Sequence, residues 1–364
     1  MSEFVTEGFH HVTLVARDAR RTLAFYRDVL GFPLVKKTVN FDMPDTYHLY
    51  FGLDGGRPGT IVTVFEWPDA GRGVAGVGGV HHHAFAVSDQ AQQLKWKRWL
   101  QGTGVPVSGP YDRGWFTSIY FTDPDGQVLE IATAGPGFDL DEPIEALGHE
   151  LIQPNPGRLV GGRDEAAIRA MNHPEPVAAI DDGMRLQGIH HVTGFTDDLA
   201  AAGEFYERAL GLRLVKKSVN QDDPDTLHYF WANYDGTRVL PHSDITLFGW
   251  PNGARSAREG TGQTHHIAFR ARDEEHLGAW REHLLDQQIG ATEILDRSYF
   301  KSVYFRSPDG LLHEIATDPP GFAVDEAPDH LGEELRLPPW LESRRGDIAA
   351  GLRPLEVTGV GRQE

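Results

Sequence analysis

The sequence predicts an α+β protein of four βαβββ modules, two in each half of the chain, and three observations carry that prediction. The chain is written twice, each copy runs strand, helix and three strands two times over, and the strands repeat their polar residues on one face. Residues 8–48 (GFHHVTLVARDARRTLAFYRDVLGFPLVKKTVNFDMPDTYH) and 188–228 (GIHHVTGFTDDLAAAGEFYERALGLRLVKKSVNQDDPDTLH) align without a gap, with 21 of 41 positions identical. The likeness continues in TVFEWP (63–68) against TLFGWP (246–251) and in HHHAFAV (81–87) against HHIAFRA (265–271). It extends through WFTSIYFTDPDGQVLEIATAGPGF (115–138) against YFKSVYFRSPDGLLHEIATDPPGF (299–322). Such self-similarity sets the architecture before any single element is considered.

In order along the first module, HHVTLVA reads as a strand. ARRTLAFYRDVLG reads as an amphipathic helix, with Leu23, Tyr26 and Leu30 near helical spacing and Gly31 stopping it. LVKKTV, YHLYFG and IVTVFEW are the three strands that follow, and the lysine pairs at 36–37 and 216–217 are expected at a solvated strand edge. After the Gly-rich stretch 71–79, the strand HHHAFAV, a helix through LKWKRWL and a turn at DPDG (123–126) repeat the plan. The expected division is a first domain over 6–138, a linker rich in Pro, Gly and charge over 139–187, a second domain over 188–322, and a partly helical tail over 323–364.

Composition narrows the function classes. With 364 residues and 40% hydrophobic content the chain can bury sizeable cores. No apolar run approaches the roughly 18–20 residues of a membrane span, and MSEFVTEGFHH lacks the order of a signal peptide. A formal charge of −19 argues against nucleic acid as partner. There is no cysteine, so any metal must be held by His and carboxylates, and a cytoplasmic location is expected.

Side chains alternate across a strand, so each strand can be divided into faces. His11 shares a face with Thr13, His191 with Thr193, His82 with Ala84, and His266 with Ala268, while His83 aligns with the apolar Ile267. A small neighbour beside each His leaves room for something bulky. Glu130 in VLEIAT and Glu314 in LHEIAT sit inside apolar strands, where a carboxylate is costly unless paired or bound to metal. Pairing with Arg113 or Arg297 is one resolution. Two His and one carboxylate around a metal is the other, an arrangement with open positions typical of non-haem Fe(II) oxygenases. His10 and His190 point away or lie at the edge and are expected to support the ligands. Tyr47, His48 and His228 are pocket or packing residues.

The HHVT, HHIAF and YFKSVYFRSPDGLLHEIATDPPGF segments, in this module order, resemble the vicinal-oxygen-chelate (VOC; glyoxalase/bleomycin-resistance) superfamily, and within it the ring-cleaving dioxygenases that open hydroquinones. The resemblance covers nearly the whole chain and implies two pseudo-symmetric glyoxalase-type domains. It implies an iron held by His11, His266 and Glu314, with Mn(II) or another divalent metal as the variant, and acid–base and orienting roles for His10, Arg297 and Tyr304. The implied substrates are a small hydroquinone- or catechol-like diol and O₂, and duplication within one chain leaves monomer and homodimer both open. Glyoxalase-like isomerases, thiol transferases and drug-binding proteins share the fold; the isomerases often bring a fourth Glu or Gln ligand. The chain departs from the one-site pattern of its relatives: His82, His191 and Glu130 are kept, as are Arg113 and Tyr120, which leaves a second metal site available.

Overall fold

The structure, a computed structural model, describes residues 4–357; residues 358–364 of the expected tail lie outside it. Four strand sets follow one another. The first comprises β1 (Phe9–Ala16), β2 (Leu34–Asn40), β3 (Met43–Phe51) and β4 (Ile61–Glu66). The second comprises β5 (Val80–Val87), β6 (Ser108–Asp112), β7 (Thr117–Thr122) and β8 (Val128–Thr133). The third comprises β9 (Ile189–Thr196), β10 (Arg213–Asn220), β11 (Asp223–Ala232) and β12 (Asp244–Gly249). The fourth comprises β13 (Gln263–Ala271), β14 (Leu295–Asp296), β15 (Lys301–Arg306) and β16 (Leu312–Thr317).

Each set has its helix after the first strand: α1 (Ala19–Leu23), prolonged by a wider turn over Ala24–Val29, then α2 (Gln90–Gly102), α4 (Leu199–Leu210) and α5 (Glu274–Asp286); α3 (Glu165–Ala170) and α6 (Arg345–Gly351) lie in the linker and tail. All four module helices start at an aspartate, Asp18, Asp89, Asp198 or Asp273, whose carboxylate accepts from backbone N–H groups of the first turn. The DPDG turn is built as expected, with Gly126 at φ 90° where a side chain would be strained.

The sequence left open how modules pair, and the sheets run across the halves. One eight-stranded sheet has the order β14-β15-β16-β13-β1-β4-β3-β2 and the other β10-β11-β12-β9-β5-β8-β7-β6. The first module is therefore continuous with the fourth, and the second with the third, through the antiparallel pairs β1–β13 and β5–β9. The apolar faces of both sheets and the helices share one core, in which Phe32 meets Phe85 at 5.1 Å and Phe205 meets Phe305 at 6.1 Å. The opposite faces carry His11 and His266 in one sheet and His82 and His191 in the other.

The first lysine of each pair is not solvated. Lys36 and Lys216 are fully buried. Lys216 Nζ donates to Asp141 and Glu142 at 2.6 and 2.5 Å; Lys36 Nζ donates to Asp325 at 2.5 Å and to Glu326. The reason lies beyond the strands: the segment after β8 runs along edge strand β10, and the tail runs along edge strand β2. Ile152 N donates to Lys217 O at 2.9 Å, and Arg336 N to Lys37 O at 2.9 Å. Each edge is covered by a strap that brings its own acidic pair. No helix among the described residues is long and apolar enough to cross a membrane.

Candidate functional site

Strand register builds the floor of each site. His11 on β1 pairs with Ala268 on β13, which pairs with Glu314 on β16, so His, Ala and Glu form one row across three strands. His266 precedes Ala268 by two residues on the same face and pairs with Thr13. Alanine's methyl group leaves the space above it open, so two imidazoles and a carboxylate lean over it. His11 Nε2 lies 3.2 Å from His266 Nε2, and Glu314 Oε2 lies 3.3 and 2.7 Å from them.

The second sheet repeats the row as His191, Ala84 and Glu130, with His82 two residues before Ala84. His82 Nε2 lies 3.1 Å from His191 Nε2, and Glu130 Oε2 lies 2.9 and 3.5 Å from them. These are the clusters of three ligating groups found among the described residues, and all six side chains are buried.

Both clusters fit a divalent cation. Ser302 Oγ donates to Glu314 Oε1, and Ser118 Oγ to Glu130 Oε1, but the Oε2 atom of each glutamate has no hydrogen-bond partner. Burial alone would push the Glu314 carboxyl up, but the facing His11 and His266 rings hold it well below the usual range; Glu130 is held down in the same way by His191 and His82. An ionised, buried oxygen whose neighbours are two imidazole nitrogens alone is a poor arrangement for folding and a good one for a metal. Neither carboxylate pairs with Arg113 or Arg297.

The histidine doublets have a structural reason. The Nδ1 atoms of neighbouring rings meet at 2.8 Å in His10–His11, 2.6 Å in His81–His82, 2.8 Å in His190–His191 and 2.7 Å in His265–His266. Burial holds His10 well below its ordinary value, and burial with His266 pushes His265 down to about 3. A neutral first ring can accept a hydrogen bond from the second ring's Nδ1–H, the tautomer in which the second ring's Nε2 can serve as a metal ligand at the cluster.

The first cavity, of about 600 Å³, is lined by Phe65, Trp67, Tyr50, Phe300, His48, His265, Arg297 and Tyr304 around the cluster. Arg297 Nε donates to Tyr304 Oη at 3.2 Å, and burial followed by Glu314 pushes the phenol well above its ordinary value, so it keeps its proton. The second cavity, of about 370 Å³, repeats this with Arg113, Tyr120, Phe116 and His228. Arg113 Nε likewise donates to Tyr120 Oη at 3.2 Å.

His10 is near the cluster but outside the cavity, touching His11 from behind and Phe300 at 5.1 Å. His265 and His81 line the cavities instead, a placement that sequence reasoning missed although the doublet was its signal. His83 is buried on the back face, its Nε2 2.8 Å from Thr264 Oγ1. Tyr47 also points away and donates to Arg353 O at 2.9 Å, whereas His48 joins Thr63 Oγ1 at 2.9 Å and through it Thr13.

The model of the Glyoxalase/Bleomycin resistance protein/Dioxygenase superfamily matches residues 8–131 and 188–315. A Bacillus subtilis protein, MhqO, named as a candidate ring-cleaving dioxygenase, is 34% identical over 97% of both chains. The chlorohydroquinone/hydroquinone 1,2-dioxygenase of Sphingobium indicum is 28% identical over 94% of both. A crystal structure described as a candidate dioxygenase of Bacillus subtilis superposes with a TM-score of 0.75 at 32% identity, covering 98% of this chain and 100% of that one.

Proposed function

The chain belongs to the Glyoxalase/Bleomycin resistance protein/Dioxygenase superfamily, as an enzyme related over its whole length to ring-cleaving dioxygenases, and from that premise we propose that it is an Fe(II)-dependent dioxygenase opening a hydroquinone- or catechol-like diol. The observation that carries the reading is the buried pair of histidines with an ionised, unpartnered carboxylate oxygen at the base of an aromatic-walled cavity. In this reading His11, His266 and Glu314 hold the metal, and His82, His191 and Glu130 hold a second ion in the same manner. Two His and one carboxylate suit Fe(II), which when bound supplies open positions where a ring hydroxyl and O₂ can meet.

The chain's own residues do the rest. Phe65, Phe300 and Tyr50 hold the ring and exclude water from the floor. His265, neutral and inside the cavity, has its Nδ1 taken up by His266 and so lines the site as a positioning group for the ligand ring rather than as a base. Tyr304, protonated and steadied by Arg297, donates its O–H where negative charge develops on oxygen, and the guanidinium stabilises that charge. His10 orients His11 through the Nδ1 contact. A glyoxalase-like isomerase with four ligands is less well supported, because each cluster offers three.

The test is anaerobic loading with Fe(II), followed by O₂ uptake and ultraviolet spectra with hydroquinone, methylhydroquinone and catechol. Stoichiometric uptake with a new ring-opened absorbance, lost in Glu314→Gln, is expected. Tight metal binding without uptake for any diol would contradict the reading.

A further inference from the structure

We infer that the two centres take different diols, the first a ring carrying a carboxylate substituent and the second a smaller ring without one. The inference rests on reading both clusters as ring-cleaving centres. At the floor they are alike to within a few tenths of an ångström: Thr13 Oγ1 lies 2.9 Å from His266 Nε2, and Thr193 Oγ1 lies 3.0 Å from His82 Nε2. At the mouth they differ.

In the second cavity the arginine is already engaged. Arg113 Nη1 donates to Gln221 Oε1 at 3.1 Å and Nη2 to Asp222 Oδ2 at 3.0 Å. The other Asp222 oxygen lies 2.7 Å from Arg163 Nη1, and the Arg163 guanidinium lies over the Tyr111 ring at 4.3 Å. Arg163 belongs to the strap between the halves, which also fixes the turn through Val160 N donating to Gln221 O at 2.8 Å.

The positions aligned with Gln221, Asp222 and Tyr111 in the first cavity are Phe41, Asp42 and Leu295. Phe41 cannot accept a hydrogen bond and packs edge-on against Trp340 of the tail at 5.6 Å. Asp42 also lines the first cavity, but its side chain is 82% exposed and makes only a loose ion pair with Arg297 Nη1 at 3.6 Å, where Asp222 makes a direct hydrogen bond to Arg113. Neither Nη atom of Arg297 donates a hydrogen bond among the described residues, and Arg297 lines a cavity of about 600 Å³, where its guanidinium, held only loosely by Asp42, is available as a fork for a carboxylate. In the second cavity, of about 370 Å³, a carboxylated ring would meet Asp222 as a like charge and would have to strip Arg113 of its partners.

The experiment is calorimetric titration without O₂ of Zn(II)-loaded Glu130→Gln, which keeps the first centre, and Glu314→Gln, which keeps the second, each checked for one bound Zn(II). The probes are hydroquinone and 2,5-dihydroxybenzoate. Glu130→Gln is expected to prefer the carboxylated ring by about tenfold and Glu314→Gln the bare ring by a similar factor. Adding Asp222→Ala to Glu314→Gln is expected to recover binding of the carboxylated ring. The same preference in both single variants, or loss of all Zn(II) in Glu314→Gln, overturns the inference while leaving the first centre's chemistry standing. Failure of both metal-loaded variants to bind any diol overturns the ring-cleaving reading and this inference with it.

Discussion

The floor of each cavity is set by three adjacent strands, whereas its mouth is set by segments outside the repeat. Register admits little variation: shifting any of the three strands by one residue would turn its ligand to the core face. Both copies therefore keep the same row of His, Ala and Glu. The straps obey a looser rule. Each needs an acidic pair for the buried lysine, but what it carries to the rim can change, and it brings Arg163 to one mouth and Trp340 to the other. Duplication has preserved the two floors and let the mouths diverge.

The comparison can be broken most directly at the carboxylates. Glu314→Gln is expected to lower turnover of a carboxylated diol on the order of a hundredfold or more, and Glu130→Gln that of hydroquinone by as much, in steady-state O₂ uptake. Equal losses on both substrates in both variants would mean that the mouths do not matter. At the straps, Lys36→Met and Lys216→Met each strand a buried carboxylate, Glu326 or Glu142, and should cost about 3–5 kcal/mol in denaturant unfolding. A cost under about 1 kcal/mol for either would show that its strap does not depend on the ion pairs.

A third contrast lies behind the second cluster, where Asp244 replaces Ile61 of the first sheet; its Oδ1 has no partner, and burial pushes the carboxyl up to about 8. The folded chain therefore keeps a proton that the unfolded chain releases near pH 4, so stability falls as pH rises from about 4 to about 8 and then levels. Asp244→Ile should remove that decline and be more stable at pH 8 by a few kcal/mol, in denaturant curves taken across the range. Parallel pH profiles for the two proteins would refute this. Smallest in effect, Tyr304→Phe is expected to lower kcat for the first centre's substrate about 10–100-fold with little change in KM, and Tyr120→Phe to do the same at the second. An increase in KM with kcat intact would make the phenol a binding group only.

The repeat, the strand faces and all six cluster residues were legible because strand alternation and duplication are local patterns. The cross-pairing of modules was not, since each first strand offers a similar edge to either neighbour, and only the finished sheets choose. Lys36 and Lys216 misled because a lysine inside a strand reads as solvated until the strap that covers it is known; the matching pairs Asp141–Glu142 and Asp325–Glu326 were the available signal. The strand faces put His10 behind the ligands while the resemblance gave it an acid–base role; its Nδ1 is turned to His11, and His265 lines the cavity. Arg163 carried no sequence signal, because it reaches the site from the linker.

Metal stoichiometry tests the central comparison most directly. Equilibrium dialysis of the anaerobic protein against Fe(II) should give two ions per chain, one in Glu314→Gln, one in Glu130→Gln and none when both are changed. One ion per chain, retained in Glu130→Gln, would contradict the account of two equivalent floors.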